Sequence, residues 1–408
     1  MGKWQEIGRL LRSPTIVPVL HYAASGGGFA LANLLLARRL PEREYALFTL
    51  VLAMMNLGAP LAAAGLDGVA VRGGLRFDLS LLGRVCLAAS VVALALGLVS
   101  ARYGVGLGAV GMIVVSSAAG GAMVVAAAEF QRQHRFALSL ALVQSPNYTL
   151  LFAAVLVLGM GTEDARLPLL VTTAGFVAAG SVGWLLLLRP PRRTAASTRI
   201  PWREALSLAA TNASGTILGQ LDRLIIPYVL PLPALATYGV LSAVVGSLFR
   251  VLQRGVGYAL LPRLRAAATV AERRRLVADE ARVVAAIVLV GSLVIWLATP
   301  VVERWLLADK YHFSDALVLA ALFAGWAKIL TAFSRAAVTA LADARELALV
   351  NISGWASVAL AVGAGVAGAR WGLAGVIYGV GLGWLVRGLA SLALTYRYLR
   401  AAHGPDDR

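Results

Sequence analysis

The sequence predicts an all-α polytopic membrane protein with about twelve transmembrane helices, arranged as two six-helix lobes. Composition is the first observation: the 408 residues are 59% hydrophobic and 14% charged, with a mean hydropathy of +0.78, whereas soluble domains are roughly one quarter charged. The second observation is that apolar runs of about 20 residues, the length that crosses the hydrocarbon core, recur from end to end. The third is a polar, proline-containing segment near the midpoint, with six candidate spans on each side.

Twelve candidate spans follow one another along the chain. They begin near Thr15, Tyr45, Leu79, Gly104, Phe136, Leu167, Glu204, Ala234, Val283, Ser314, Leu347 and Trp371. Most of them end where arginines, prolines or acids cluster, as expected at the membrane surface. Ahead of the first span, residues 1–14 are basic and amphipathic, which is the pattern of a helix that lies in the membrane interface.

Charge is distributed unequally between the two sides of the predicted bundle. The net charge is +17, and the loops on one side carry +15 while those on the other carry +1, with Lys328 inside a span. The positive-inside rule therefore places both termini in the cytoplasm, in a multi-pass protein of the inner (cytoplasmic) membrane. Basic runs so placed are expected to contact anionic membrane lipids, and nucleic acid is not expected as a partner.

The linker RPPRRTAASTRIPWR, residues 189–203, divides the chain and is predicted to be cytoplasmic. The first lobe then covers residues 15–188 and the second covers 204–400, followed by a cytoplasmic tail at 401–408. Since an even number of spans returns the chain to the same side, the second half enters the bilayer in the same direction as the first. This indicates a parallel repeat about a pseudo-two-fold axis along the membrane normal, with substrate expected between the halves.

One sequence match links the two halves. The segment LPEREY, which ends at Tyr45 just after the first span, recurs as LPALATY, which ends at Tyr238 just after the seventh span. The two segments align after a gap of one residue. The match supports the predicted repeat.

Charges inside predicted spans are candidate functional residues, because a charge at the bilayer centre costs at least roughly 2.5 to 3.5 kcal/mol. Lys328 lies about 20 Å from Asp315 at the outer end of the tenth span and is the strongest candidate for a cation in a substrate cavity. Arg335, seven residues later on the same face, is interpreted as an inner-boundary anchor. Arg250 and Arg254 share a face of another span, where two guanidiniums could clamp a pyrophosphate or instead snorkel to the headgroups.

The neighbours Asp222 and Arg223 lie in the apolar segment GQLDRLIIPYVL. Successive helical residues differ by about 100°, so the two side chains are expected to find different partners. Two interpretations stay open. Asp222 binds a proton or coupling cation while Arg223 contacts substrate, or the charges form structural ion pairs that lock helices together.

The first half offers polar candidates in place of charged ones. Asn33 in the first span is a candidate substrate contact. The run Gly26, Gly27 and Gly28 favours close helix packing, with a gating hinge as the second interpretation. No cluster with metal-ligand spacing and no Ser/His/Asp set stands out, and GLGAVG at Gly106 lacks the strand of a nucleotide site. The sequence therefore predicts no metal, no cofactor and no catalytic residue.

Several longer motifs carry a family resemblance: RRLPEREYALFTLVLAMMNLGAPLAAAGLDGVAVR, QLDRLIIPYVL followed by ATYGVLSAVVGSLFRVLQ, and RWGLAGVIYGVGLGWLV. They resemble the polysaccharide, or Wzx-type oligosaccharide-lipid, flippases of the multidrug/oligosaccharidyl-lipid/polysaccharide (MOP) exporter superfamily. The resemblance implies that a polyprenyl-pyrophosphate-linked oligosaccharide moves from the inner to the outer leaflet by alternating access. It also implies a role in cell-surface polysaccharide biosynthesis, alongside glycosyltransferases and a polymerase as partners.

Two alternatives are weighed against this resemblance. A cation-coupled multidrug exporter of the same superfamily would use an acidic, aromatic-lined cavity, whereas arginine and lysine outnumber acids within the predicted spans here. A polysaccharide polymerase or ligase would carry a long outer loop, but the longest outer segment is the short VVERWLLADKYHFSDA. The sequence therefore favours a membrane transporter over an enzyme.

Overall fold

The computed structural model describes residues 16–72, 75–188, 200–247, 249–250, 252–253, 264, 267, 269–341 and 344–401. Within these residues the chain is helical, with short connections. The interfacial helix predicted at residues 1–14, most of the linker and nearly all of the C-terminal tail lie outside the described residues.

Thirteen α-helices are described, and twelve of them have 13 residues or more. In chain order they are α1 (Ile16–Arg39), α2 (Glu42–Ala62), α3 (Leu66–Arg72), α4 (Leu79–Ala101), α5 (Leu107–Arg132), α6 (Phe136–Met160), α7 (Arg166–Leu188), α8 (Trp202–Val229), α9 (Leu232–Val244), α10 (Val270–Val301), α11 (Asp315–Leu341), α12 (Ala344–Gly368) and α13 (Gly372–Ala401). A π-helical turn, Val302–Leu306, extends α10, and a 3-10 turn, Ala369–Trp371, joins α12 to α13.

The prediction of an all-α polytopic membrane protein is confirmed. Eight helical stretches of the described chain are long and apolar enough to cross a membrane, and one of them, Ala348–Tyr398, joins α12 and α13 through the 3-10 turn. The more polar α1 and α8 and the shorter α9 complete the twelve long helices. Helices are the expected solution, because in hydrocarbon every backbone N–H and C=O must be satisfied within the segment.

Helix ends follow local sequence signals. The Asp78 carboxylate accepts a hydrogen bond from the backbone N–H of Leu81 (2.8 Å) and caps the start of α4. The Thr269 hydroxyl accepts from the Glu272 N–H (3.2 Å) at the start of α10. Gly161, with φ at +68°, ends α6 in the left-handed conformation that glycine adopts without a steric penalty. These ends fix where the charged connections begin.

The chain forms two compact units, and the division falls inside α1 and again inside α9. The N-terminal unit comprises residues 27–239, and the C-terminal unit comprises residues 1–26 together with 240–408. Each unit is described by itself below. The lobe boundaries inferred from the linker stay a prediction.

Helix α2 is the most buried span of the N-terminal unit, with 78% of its most apolar stretch covered by protein. It packs on α4, α5 and α8. The contact with α5 depends on glycines: a Cβ added at Gly120 would lie 2.4 Å from Ala59 Cβ, and one at Gly121 would lie 2.7 Å from the Ala62 carbonyl carbon. Small residues thus let two helix backbones approach closely.

In the C-terminal unit, α13 packs against both α11 and α12. A Cβ at Gly379 of α13 would lie 2.3 Å from the Ala364 carbonyl oxygen of α12, so this contact also needs glycine. By contrast, only 22% of the most apolar stretch of α10 is buried. The exposed large apolar side chains of α10 are suited to contact lipid. Exposed Trp305 and Trp371 lie in the connections at one end of the unit, as expected for aromatic residues at a membrane surface.

We expect Gly379→Val to destabilise the C-terminal unit, because the new side chain overlaps the α12 backbone. Overpacking of this kind typically costs about 1 to 3 kcal/mol. Gly363→Val is the matched control, since a Cβ at Gly363 meets no atom within 4 Å. Thermal unfolding of the purified protein in detergent measures both, and equal midpoints for the two variants would contradict the described α12–α13 contact.

Candidate functional site

The α11–α13 contact is closest around Thr331. Its hydroxyl donates to the backbone carbonyl of Trp384 on α13 (2.7 Å), and it also lies 2.9 Å from the Ala327 carbonyl on its own helix. A Cβ at Gly388 would lie 3.1 Å from both the nitrogen and the hydroxyl of Thr331. The two helix backbones therefore approach closely at Thr331. Side chains one helical turn from this contact, on either helix, are brought near one another.

Three basic side chains lie beside this contact: Lys328 and Arg335 on α11, and Arg387 on α13. Lys328 Nζ lies 5.9 Å from the centre of the Trp384 ring, a cation–π arrangement. The Arg387 side chain is buried, with 2% of the residue exposed, and its guanidinium repels that of Arg335 electrostatically. We call these three residues the cation cluster.

The helices that hold the cation cluster carry almost no acid. Helix α13 has no Asp or Glu, and α11 has only Asp315 at its first position. The neighbouring α12 has one, Glu346 in its first turn. The described acids of these three helices thus lie in first turns, and charge–charge interactions in a low-dielectric setting are stronger than in water.

The Trp384 indole adds a hydrogen-bond donor at the cation cluster. Trp384 is 5% exposed, and its Nε1 is buried with no hydrogen-bond partner among the described residues. Buried donors are normally paired. Three cations and an N–H donor on one helix pair can bind an anion with several acceptor oxygens, such as a phosphate or pyrophosphate.

In the N-terminal unit, Asp222 and Arg223 of α8 both meet Tyr238 of α9. Asp222 is 3% exposed and accepts a short hydrogen bond from the Tyr238 hydroxyl, and its other oxygen accepts from the Arg223 N–H at 3.1 Å. The Arg223 guanidinium donates to Gln220 Oε1 (2.8 Å) and lies 5.8 Å from the centre of the Tyr238 ring. The carboxylate is thus held by neutral and backbone donors.

The repeat-matched tyrosine Tyr45 makes an equivalent contact. Its hydroxyl lies 3.5 Å from the Asn33 side-chain oxygen, and the Asn33 amide donates to the Phe29 carbonyl (2.8 Å). In each half, a tyrosine near the start of one helix therefore reaches a polar side chain near the end of the preceding helix. The first half places a neutral amide there, and the second half places a carboxylate.

The predicted hinge glycines lie in α1, where the division between the two units falls between Gly26 and Gly27. A Cβ at Gly27 would meet nothing within 4 Å, and one at Gly28 would meet only Leu151 Cδ2, at 3.6 Å. Their surroundings are therefore open, unlike those of Gly120 and Gly379. The hinge stays a prediction.

The remaining candidates are placed less fully. Arg250 lies near the Ser242 carbonyl, with Nη2 at 3.5 Å. Arg254 lies outside the described residues. The described residues contain no group of three or more His, Cys, Asp or Glu that could hold a metal ion.

From the sequence, Arg335 is interpreted as an inner-boundary anchor, Arg387 in the last span could point inward, and Trp384 is not singled out. The available signals were the seven-residue spacing between Lys328 and Arg335 and the three-residue spacing between Trp384 and Arg387, each of which puts two residues near one helical face. The local sequence does not indicate that α11 packs against α13. That pairing assembles the cluster.

Comparison with known proteins places the fold. No family model and no curated protein matches the chain. Among solved structures, an inward-facing multidrug resistance MATE family transporter of the MOP superfamily superposes with a TM-score of 0.66 at 12% identity, covering 93% of this chain and 96% of the other. The chain has the fold of MOP-superfamily transporters.

Two further structures have the same fold. The lipid II flippase MurJ, in an inward closed conformation, matches with a TM-score of 0.62 at 13% identity, covering 93% of this chain and 87% of MurJ. The MATE transporter VcmN of Vibrio cholerae matches with a TM-score of 0.56 at 15% identity, covering 97% and 98%. A multi-pass membrane protein with the MOP fold is thus shown, and its substrate is a separate question.

We expect Tyr238→Phe to destabilise the N-terminal unit more than Tyr45→Phe. The first change removes a donor to a buried carboxylate, where hydrogen bonds contribute about 1.5 to 3 kcal/mol, and the second removes a neutral contact of about 0.5 to 1.5 kcal/mol. Chemical unfolding of the purified variants at neutral pH measures the difference. The loss of stability caused by Tyr238→Phe should be smaller in a protein that already carries Asp222→Asn. An equal loss of stability in both backgrounds would contradict the contact between Tyr238 and Asp222.

Proposed function

We propose that the protein flips a polyprenyl-pyrophosphate-linked oligosaccharide from the inner to the outer leaflet of the cytoplasmic membrane. The observation that carries the proposal is the cation cluster, in which Lys328, Arg335 and Arg387 lie on two helices with almost no acid. Cations within a membrane span are expensive and are usually functional. An anionic ligand explains why three are kept together.

The chemistry of the cluster fits a pyrophosphate. Arginine guanidiniums bind phosphate oxygens through two parallel N–H bonds, and the lysine ammonium acts as a compact point charge. The Trp384 N–H supplies a further donor to an oxygen. Neutralising the headgroup in this way lowers the cost of carrying it through the hydrocarbon, while the polyprenyl tail stays in lipid.

Transport requires more than binding, because a site with equal affinity in both facing states shifts no equilibrium. In the proposed cycle, the glycines Gly26 to Gly28 allow α1 to bend, and Asp222 couples the change to a bound proton or cation. Arg223, Arg250, Arg254 and Asn33 stay proposed substrate contacts. Anionic lipids at the basic cytoplasmic face, glycosyltransferases and a polymerase are the proposed partners.

A cation-coupled multidrug exporter is the second candidate. The buried Asp222 carboxylate favours it, since an acidic group can bind a cationic drug or a coupling ion. Two of the three structures compared above are also described as MATE transporters. The cation cluster argues against it, because a cationic drug would be repelled there.

We expect Lys328→Ala to lower the rate of flipping at least about tenfold, because one charge-assisted contact contributes about 1.5 to 3 kcal/mol. The measurement uses liposomes that contain the purified protein and a fluorescent polyprenyl-pyrophosphate oligosaccharide, and it scores headgroup accessibility in the outer leaflet. Lys310→Ala is the matched control: Lys310 also lies on an aromatic ring, that of Tyr311 at 5.6 Å, but in the connection between α10 and α11. Arg387→Gln tests the second helix of the cluster.

Loss of flipping in Lys328→Ala and Arg387→Gln, with Lys310→Ala active, supports the proposal. Equal activity of all four proteins would remove the cation cluster from the mechanism. A wild-type protein that flips no lipid but exports a cationic dye would establish the exporter instead. Size-exclusion profiles of each variant check that loss of activity is not loss of folding.

A further inference from the structure

A separate cavity lies at one end of the N-terminal unit. It has a volume of about 790 Å³ and is bordered by the first half of α2, by the connections α4–α5 and α6–α7 and by the start of α9. Its volume falls within the roughly 300 to 1,000 Å³ of small-molecule sites. The charge distribution predicts that these connections face the outside, so we call it the outer cavity. It shares no residue with the cation cluster.

The outer cavity combines an apolar wall with a charged rim. Apolar residues form much of the lining, and they include Leu47, Val51, Val105, Met112, Leu169 and Leu232. The rim carries two basic residues, Arg43 and Arg166, and two acidic residues, Glu44 and Asp164. The rim therefore has no net charge, in contrast to the cation cluster.

Backbone contacts hold the two rim carboxylates in place. Glu44 Oε2 accepts from the Ala165 N–H (3.1 Å), and Asp164 Oδ1 accepts from the Arg166 N–H (2.8 Å). The second oxygen of Asp164 lies 3.7 Å from Arg166 Nε. Each carboxylate keeps further acceptor capacity, and the exposed guanidiniums keep further N–H donors. The rim thus presents fixed acceptors and donors together.

Tyr103 is the aromatic residue of the lining. Its hydroxyl donates to the Leu224 carbonyl of α8 (3.2 Å), which ties the α4–α5 connection to the end of α8. Burial raises the pKa of the Tyr103 hydroxyl, and the proximity of Tyr228 raises it further. The hydroxyl therefore stays a neutral donor, and the ring remains a fixed apolar surface.

We infer that the outer cavity binds an oligosaccharide without net charge. Sugar hydroxyls donate and accept at once, which matches a rim of paired guanidiniums and carboxylates. Apolar and aromatic walls cover the C–H surfaces of a sugar ring. A multiply charged ligand would leave charge unpaired against a neutral rim, at a high desolvation cost. This inference rests on the proposed function, in which the glycan emerges at this face, and it makes the cavity an exit site.

The glycine Gly108 of α5 allows the cavity to be blocked without disturbing packing. Gly108 lines the cavity, and a Cβ there meets nothing within 4 Å. Gly108→Trp therefore places a bulky indole at the lining of the cavity and reduces the space for a ligand. Gly111→Trp is the matched control, because Gly111 lies on the same helix, has equally open surroundings and is not part of the lining.

The experiment measures binding of free oligosaccharides to the full-length protein in lipid nanodiscs. The probes are arrays of neutral and of acidic glycans without lipid or pyrophosphate, together with inorganic pyrophosphate and a cationic dye. We expect wild type and Gly111→Trp to bind neutral glycans alike and Gly108→Trp to bind them at least about tenfold more weakly. Lys310→Ala should bind like wild type.

Unchanged glycan binding by Gly108→Trp would overturn the inference. So would a preference of this cavity for acidic glycans or for the dye, and so would a wild-type protein that binds no neutral glycan. The outcome is separate from the flipping assay. If the protein binds neutral glycans but flips no lipid, the proposed flippase function is wrong and the proposed glycan site is supported. If the protein flips lipid but binds no free glycan, only the proposed glycan site is wrong.

Discussion

The lack of water in hydrocarbon is the constraint on which this structure depends. It forces the backbone into helices, and it also forces side-chain hydroxyls onto their own helices: Thr172, Thr299 and Thr395 each donate to the carbonyl four residues earlier. Polar residues satisfied in this way can lie in a span at little cost. Charges need more than such local contacts: buried Asp222, for example, also accepts from Tyr238 on the next helix.

The two units handle such charges in different ways. In the N-terminal unit, a buried carboxylate is surrounded by donors from its own backbone and from a tyrosine hydroxyl. In the C-terminal unit, like charges are gathered on a helix pair that approaches closely through Thr331 and Gly388. The contacts of Asp222 stabilise one negative charge. The basic side chains of the C-terminal unit repel one another, and a bound anion would reduce that repulsion. The proposed coupling residue and the proposed anion site therefore lie in different parts of the chain.

The fold class could be predicted from the sequence because membrane spans are recognised by their apolar composition and their length. The sequence also matched Tyr45 with Tyr238, but it could not identify what either hydroxyl contacts, since that depends on how each hairpin closes. For Asp222 and Arg223 the 100° argument predicted different partners. Arg223 has one of its own in Gln220, but the returning helix α9 brings Tyr238 to both residues. Arg387 needed the pairing of α11 with α13, which no local pattern contains. The roles of the candidate site residues therefore stay predictions even where their positions are known.

The sparse protein cover of α10 has a consequence for the bilayer itself. With 22% of its most apolar stretch buried, this 32-residue helix is solvated mainly by acyl chains and not by its neighbours. A long apolar helix can accommodate a thinner bilayer by tilting. The start of α10 carries Arg273, Arg274 and Arg275, so leaning would move a cationic segment relative to the headgroups.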